Sequence, residues 1–197
     1  MPPEEPPRLW VLAGGNGAGK STFHATRLAR HGVEFVNADL IERELDPAAG
    51  EAAEPPSYRA ARMARARDAE RLRRGASFCY ETVFSHPSKV EMIATARAAG
   101  YHVTLVFIHF ADPALNVLRV RQRVSEGRHS VPADKIAARL PRTLAHVRDA
   151  IRLADETLPL DNGRRDDPFR RVAERRGDAV TIHVDPLPAW AREMLGR

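Results

Sequence analysis

Directly after an apolar run, Arg8–Ala13, the chain reads Gly14-Gly-Asn-Gly-Ala-Gly19-Lys20-Ser21, a match to G-x-x-x-x-G-K-[ST]. Few segments constrain a fold as strongly. The glycines permit a tight turn that brings successive backbone N–H groups onto one anion. The helical pattern that follows, Lys20–His31, adds the positive end of its dipole. Lys20 can reach β- and γ-phosphates, and the Ser21 hydroxyl is a hard oxygen ligand for magnesium. Gly15, Asn16, Gly17, Ala18, Gly19, Lys20, Ser21 and Thr22 are therefore the predicted contacts of ATP, with Ser21 the metal ligand. Lysine is scarce in this chain, occurring elsewhere only at Lys89 and Lys135, so its place in the loop is not a matter of composition.

The remainder alternates. Predicted strands at Val33–Val36, Ala76–Val83, Tyr101–Phe110 and Thr157–Leu160 are separated by helical stretches. These begin near Asp39, at Ser57 (a candidate N-cap, with Gly75 the stop), at Ser88–Ala99 and at Asp112-Pro113. Another runs to Asp155 and is interrupted or kinked at Pro141. Phe169–Ala173 and Ala179–Val184 read as a hairpin around Arg176-Gly177-Asp178, and a short helix follows Pro188. The order implies an α/β three-layer fold, a mostly parallel sheet with helices on both faces. Residues 1–7, rich in proline, read as a disordered leader, and 8–197 as one domain with a lid at about 119–132.

Composition excludes little. A net charge of +5 could suit nucleic acid, but no interleaved aromatic residues accompany the arginine clusters, and nucleic acid is not expected as a partner. No apolar run approaches membrane-spanning length. The single cysteine, Cys79, lies in an apolar strand-like run and reads as an inert buried thiol, which with the absence of a signal-peptide pattern predicts a cytoplasmic protein. The eight histidines show no metal-ligand spacing, and no structural zinc is expected.

In an open parallel sheet, ligands gather at the carboxyl ends of the strands. The polar residues there are Asn37-Ala-Asp39, Tyr80-Glu81-Thr82 and Asp161-Asn162. Asp39 is the candidate general base, and with Glu42 it also resembles a capping box. Glu81 could orient a substrate hydroxyl or bind magnesium through water, and Thr82 is a weaker candidate of the same kind. Arg119 and Arg123 share a helix face, and Arg128-His129 follows in a basic turn bounded by Gly127 and Pro132. Such a segment could close over a nucleotide and deliver cations to its phosphates, with Arg139 and Arg142 in reserve.

With these residues in hand, the chain resembles the zeta-toxin-like P-loop kinases, a branch near chloramphenicol phosphotransferase-like small-molecule kinases. The resemblance is carried by Gly14–Thr22, Asn37-Ala-Asp39, Tyr80-Glu-Thr82, Arg123–Pro132 and Ala154-Asp155 through Asp161-Asn162-Gly163. It implies an adenylate-kinase-like core, Asp39 as general base, Glu81 on the substrate, and Arg123 and Arg128 on the phosphates. It also implies a small-molecule acceptor, UDP-N-acetylglucosamine in the characterised toxins, and admits an antitoxin as partner. Two features depart from the family. Its usual Asp-x-Phe-Arg run is replaced by Asp39-Leu-Ile-Glu-Arg43, and the chain is compact. An antibiotic or nucleoside kinase, or a nucleic-acid-associated ATPase, is the alternative. The Leu-Ser-Gly-Gly-Gln signature of transporter-type ATPases is missing.

Overall fold

The computed structural model describes residues 5–45, 55–110, 112, 114–116, 118–120 and 132–197. Their sheet runs in the order β2-β3-β1-β4-β5. The strands are β1 Arg8–Ala13, β2 Glu34–Val36, β3 Phe78–Thr82, β4 His102–His109 and β5 Glu156–Asp161, all parallel. Central β1 and β4 are nearly continuous apolar runs because helices cover both of their faces. On one face Leu9, Val11, Phe78, Leu105 and Phe107 pack with residues of α3 (Pro56–Arg74), α4 (Ser88–Ala98), α5 (Ala133–Ile151) and α6 (Ala189–Leu195). On the other, Leu12, Cys79, Val106 and Ile108 meet Phe23 and Leu28. Burial pushes the Cys79 thiol well above the ordinary range, so it stays protonated, as expected of a buried thiol.

The segment after the glycine loop is helical to His31, but not uniformly. It opens as α1, Lys20–Phe23, continues with π-type bonding over His24–Leu28 and closes with a 3₁₀ turn, Ala29–His31. Within it the Thr26 hydroxyl donates to the Thr22 carbonyl at 2.8 Å, occupying an acceptor that α-helical bonding would use. Helix α2, Ala38–Glu44, is capped by Asn37, whose Oδ1 accepts from Asp39 N at 2.7 Å. The capping box expected of Asp39 is thus corrected: Asp39 lies inside the first turn, and the residue two places before it holds the cap.

Helix α3 also starts differently from expectation. Pro55 is its N-cap and Pro56 its first residue, so Ser57 is already helical; proline suits that position because its missing N–H would be unpaired there anyway. Gly75 ends the helix, as expected. Pro141 lies inside α5 on its exposed side, and the helix runs on through it despite the lost bond to Ala137. The predicted hairpin is present with shifted arms. Arg170–Arg171 (β6) pairs with β5, while Ala173–Arg176 (β7) pairs with both β5 and Ala179–Ile182 (β8). Among the described residues, no helix is long and apolar enough to cross a membrane.

Candidate active site

Parallel register places the ends of three strands at one level. Ala13 pairs with Thr82 on one side and Phe107 on the other, so Glu81 stands beside Leu12, just below the glycine loop. There the Glu81 carboxylate becomes a meeting point. Its Oε2 accepts from Ser21 Oγ at 2.8 Å and from Asn37 Nδ2 at 2.8 Å, and its Oε1 is 3.7 Å from Lys20 Nζ. The Lys20 ammonium, almost fully buried, donates to the carbonyls of Gly14 (3.0 Å) and Gly15 (3.1 Å). A lysine and a serine hydroxyl from consecutive residues of α1 thus meet a carboxylate from β3 at the head of that helix.

Asn37 ties a fourth group to this cluster. Its amide nitrogen holds Glu81 while its oxygen holds the Asp39 backbone, so Asp39 is anchored two hydrogen bonds from the carboxylate and carries its own side chain on the exposed surface of α2. Thr82 serves the chain rather than pointing freely outward. Its Oγ1 accepts from Phe84 N at 3.0 Å, and the next carbonyl, Val83 O, accepts from Thr143 Oγ1 of α5 at 2.9 Å. These bonds and full burial hold Phe84 at φ 64, a left-handed conformation that costs a non-glycine residue about 1–2 kcal/mol. The exit of β3 is therefore over-determined, which keeps Glu81 in place.

The loop is braced from both flanks. Asn116 Nδ2 donates to Asn16 O at 2.8 Å, and Arg139 of α5 reaches Asn16 Oδ1 at 3.4 Å. Opposite, Asn162 Nδ2 donates to Ala18 O at 2.9 Å, while Asn162 Oδ1 accepts from Phe169 N at 3.2 Å. Gly19 has φ 99, and a Cβ there would lie 2.6 Å from Asn162 Nδ2, so both conformation and space demand glycine. Phe169, itself at φ 60, packs edge-on against Phe23 of α1.

Arg119 lies over the Phe110 ring at 4.5 Å and donates to Asn162 O at 2.9 Å. Beside it opens a cavity of about 370 Å³ lined by Leu115, Leu118, Arg119, Gly163 and Arg165. His109, at the end of β4, stacks on Phe107 and meets Trp190 edge-on; burial lowers its imidazole to about 4, so it is neutral. Arg123, Arg128 and most of the predicted lid lie outside the described residues.

The structure thus brings Lys20, Ser21, Glu81 and Asn37 together, with Asp39 tethered to them. Sequence reasoning did not find the bracing roles of Asn116 and Asn162, nor Asn37 as the shared cap; for Asn37 a signal existed, a strand ending in asparagine immediately before a helix.

Known proteins share this fold. The complex of AvrRxo1-ORF1 with AvrRxo1-ORF2 superposes with a TM-score of 0.71 at 18% identity, covering 96% of this chain. This chain spans 63% of that one's length. A related crystal structure of the same pair, with ATP, gives 0.65 at 16% identity. The PezAT chromosomal toxin-antitoxin system of Streptococcus pneumoniae gives 0.64 at 18% identity, covering 98% of this chain and 84% of that one. A Haemophilus influenzae protein described only as uncharacterized is 26% identical over 140 residues, 67% of this chain and 96% of its own. At these identities the solved structures establish the fold, an α/β P-loop arrangement with a mostly parallel sheet. Residues 9–149 match the family described as an AAA domain (AAA_33), and the chain belongs to that family.

Proposed function

We propose that this protein is a zeta-toxin-like kinase that moves the γ-phosphate of ATP to a hydroxyl of a small molecule. The observation that carries the reading is Glu81, a carboxylate held at the loop by the Ser21 hydroxyl and Asn37 amide and 3.7 Å from Lys20. An acid so placed beside the loop serine suits a magnesium-nucleotide site better than a solvated strand end would.

The glycine loop N–H groups and Lys20 hold the phosphates, and Lys20 offsets charge gathering on the γ-phosphoryl oxygens. The Ser21 hydroxyl and Glu81 carboxylate are hard oxygen donors that fit magnesium, directly or through water, and when bound the ion would neutralise phosphate charge. Asp39 takes the proton from the acceptor hydroxyl as its oxygen attacks the γ-phosphorus and the bond to ADP breaks. Arg123 and Arg128, outside the described residues, are assigned to the phosphates by the resemblance alone. The cavity beside Arg119 is the place for the base, with an arginine face and leucines suited to a planar ring. Thr82, bonded into its own turn, contributes to the acceptor side by shape.

A nucleotide sugar, UDP-N-acetylglucosamine first, is the favoured acceptor on the resemblance above, and an antitoxin is a proposed partner because one similar structure belongs to a chromosomal toxin-antitoxin system and another is a complex of two proteins. The test is mass spectrometry of products formed from ATP, magnesium and a pool of hydroxyl compounds including UDP-N-acetylglucosamine, with Asp39→Asn as control. Phosphate on an acceptor, lost in the control, supports reaction and base together. ATP turnover without any phosphorylated product would overturn the kinase reading in favour of an ATPase.

A further inference from the structure

An anion-binding loop works only if its N–H groups face inward, and a peptide N–H faces inward only if the carbonyls beside it are held outward. In this chain the outward carbonyls have donors. Gly14 O and Gly15 O take Lys20, Asn16 O takes Asn116 Nδ2 at 2.8 Å, and Ala18 O takes Asn162 Nδ2 at 2.9 Å. The two asparagines come from opposite flanks, Asn116 from the helical residues 114–116 and Asn162 from just past the end of β5. Arg119 links them by donating to Asn162 O at 2.9 Å.

Neither asparagine is at the surface: Asn116 is 2% exposed and Asn162 4%. Asn162 has all its amide groups matched, since its oxygen accepts from Phe169 N and its backbone N–H reaches His109 O. Asn116 does not. Its Oδ1 is buried with no donor, and its amide cannot turn round without setting that oxygen against Asn16 O. A buried amide with one half unmet is an unfavourable way to fill a core position, and leucine would fill it without that cost. What the asparagine adds is the one N–H that Asn16 O requires. The fit is close as well, because a Cβ on Gly15 would stand 2.8 Å from the same nitrogen.

We infer that Asn116 and Asn162 are positioning residues of the phosphate site: a pair of amide brackets that hold the Asn16 and Ala18 carbonyls outward, so that the loop is set for polyphosphate before it arrives. The inference rests on the ATP reading above.

The isosteric variants Asn116→Asp and Asn162→Asp replace a donor with an acceptor facing a carbonyl. Each is expected to weaken both ATP and inorganic tripolyphosphate at least about tenfold, the loss of one buried hydrogen bond with repulsion added. Fluorescent ATP and tripolyphosphate competition read this directly, and adenosine should compete as it does in wild type. If an aspartate variant does not fold, Asn116→Ser and Asn162→Ser, neutral and too short to reach, are measured in its place. Tripolyphosphate affinity within twofold of wild type in folded variants of both sites would overturn the bracket. A uniform loss that includes adenosine would overturn it too, in favour of a merely structural role. Wild-type protein that binds neither ATP nor tripolyphosphate would sink the kinase reading itself, and the bracket with it.

Discussion

Ser21 Oγ donates to Glu81 Oε2 at 2.8 Å, so the first helical turn after the glycine loop is tied to the strand beside β1. If that pair forms the metal site, Glu81→Gln removes the charge while keeping the shape. Turnover is expected to fall by about a hundredfold or more, in the range found when a transition-state contact is lost, and the magnesium needed for half-maximal rate should rise. A titration of ADP formation against magnesium checks both. An unchanged magnesium curve would assign Glu81 to the fold alone.

Lys20 has carbonyls of its own loop as partners, and it is almost wholly buried. Lys20→Ala is expected to leave the protein folded, judged by circular dichroism, while lowering phosphate transfer by about two to three orders of magnitude. A variant with near-normal turnover would remove Lys20 from the reaction.

Gly19→Ala meets two obstacles at once, a φ of 99 and an amide 2.6 Å from the new carbon. About 1–3 kcal/mol of stability should be lost, read by urea denaturation. ATP affinity should fall with it because the Asn162 contact is pushed off Ala18.

Asp68 offers a pH test. It is buried in α3 with Oδ1 unpartnered, and burial raises its carboxyl to about 7 although Lys89 pulls the other way. The folded state therefore binds a proton that the unfolded chain has released above its ordinary value of 3.8. Stability should fall as pH rises between about 4 and 7 and change little from this group above that window, the total being on the order of a few kcal/mol. Asp68→Asn should flatten the fall and leave the variant more stable than wild type at pH 8. Denaturant midpoints at pH 5 and pH 8 give the comparison; parallel curves for the two proteins would mean that Asp68 is ionised throughout.

How much of this was legible beforehand depended on distance along the chain. The glycine loop is contiguous, and its chemistry follows from residue type and spacing. The strand order follows less directly, but β1 and β4 announce themselves as central because no polar face is left to them. Asn116 and Asn162 carry no local sign, since their partners lie 100 and 144 residues away. An asparagine near a strand end or in a helix has many ordinary uses, and only the fold shows which carbonyl it meets. Asp39 sits between these cases. Its place after a strand is readable, while the capping-box spacing of Asp39 and Glu42 draws attention from Asn37, which holds the cap.

The margins of the sheet have a consequence for assembly. β2 has three residues and β8 four, and β8 follows a strand rich in charge, Ala173-Glu-Arg-Arg176. Edges this short offer an incoming peptide too few free backbone groups for a stable added strand. Self-association into stacked sheets is discouraged for the same reason, so helix and loop surfaces are where a second macromolecule would find its footing.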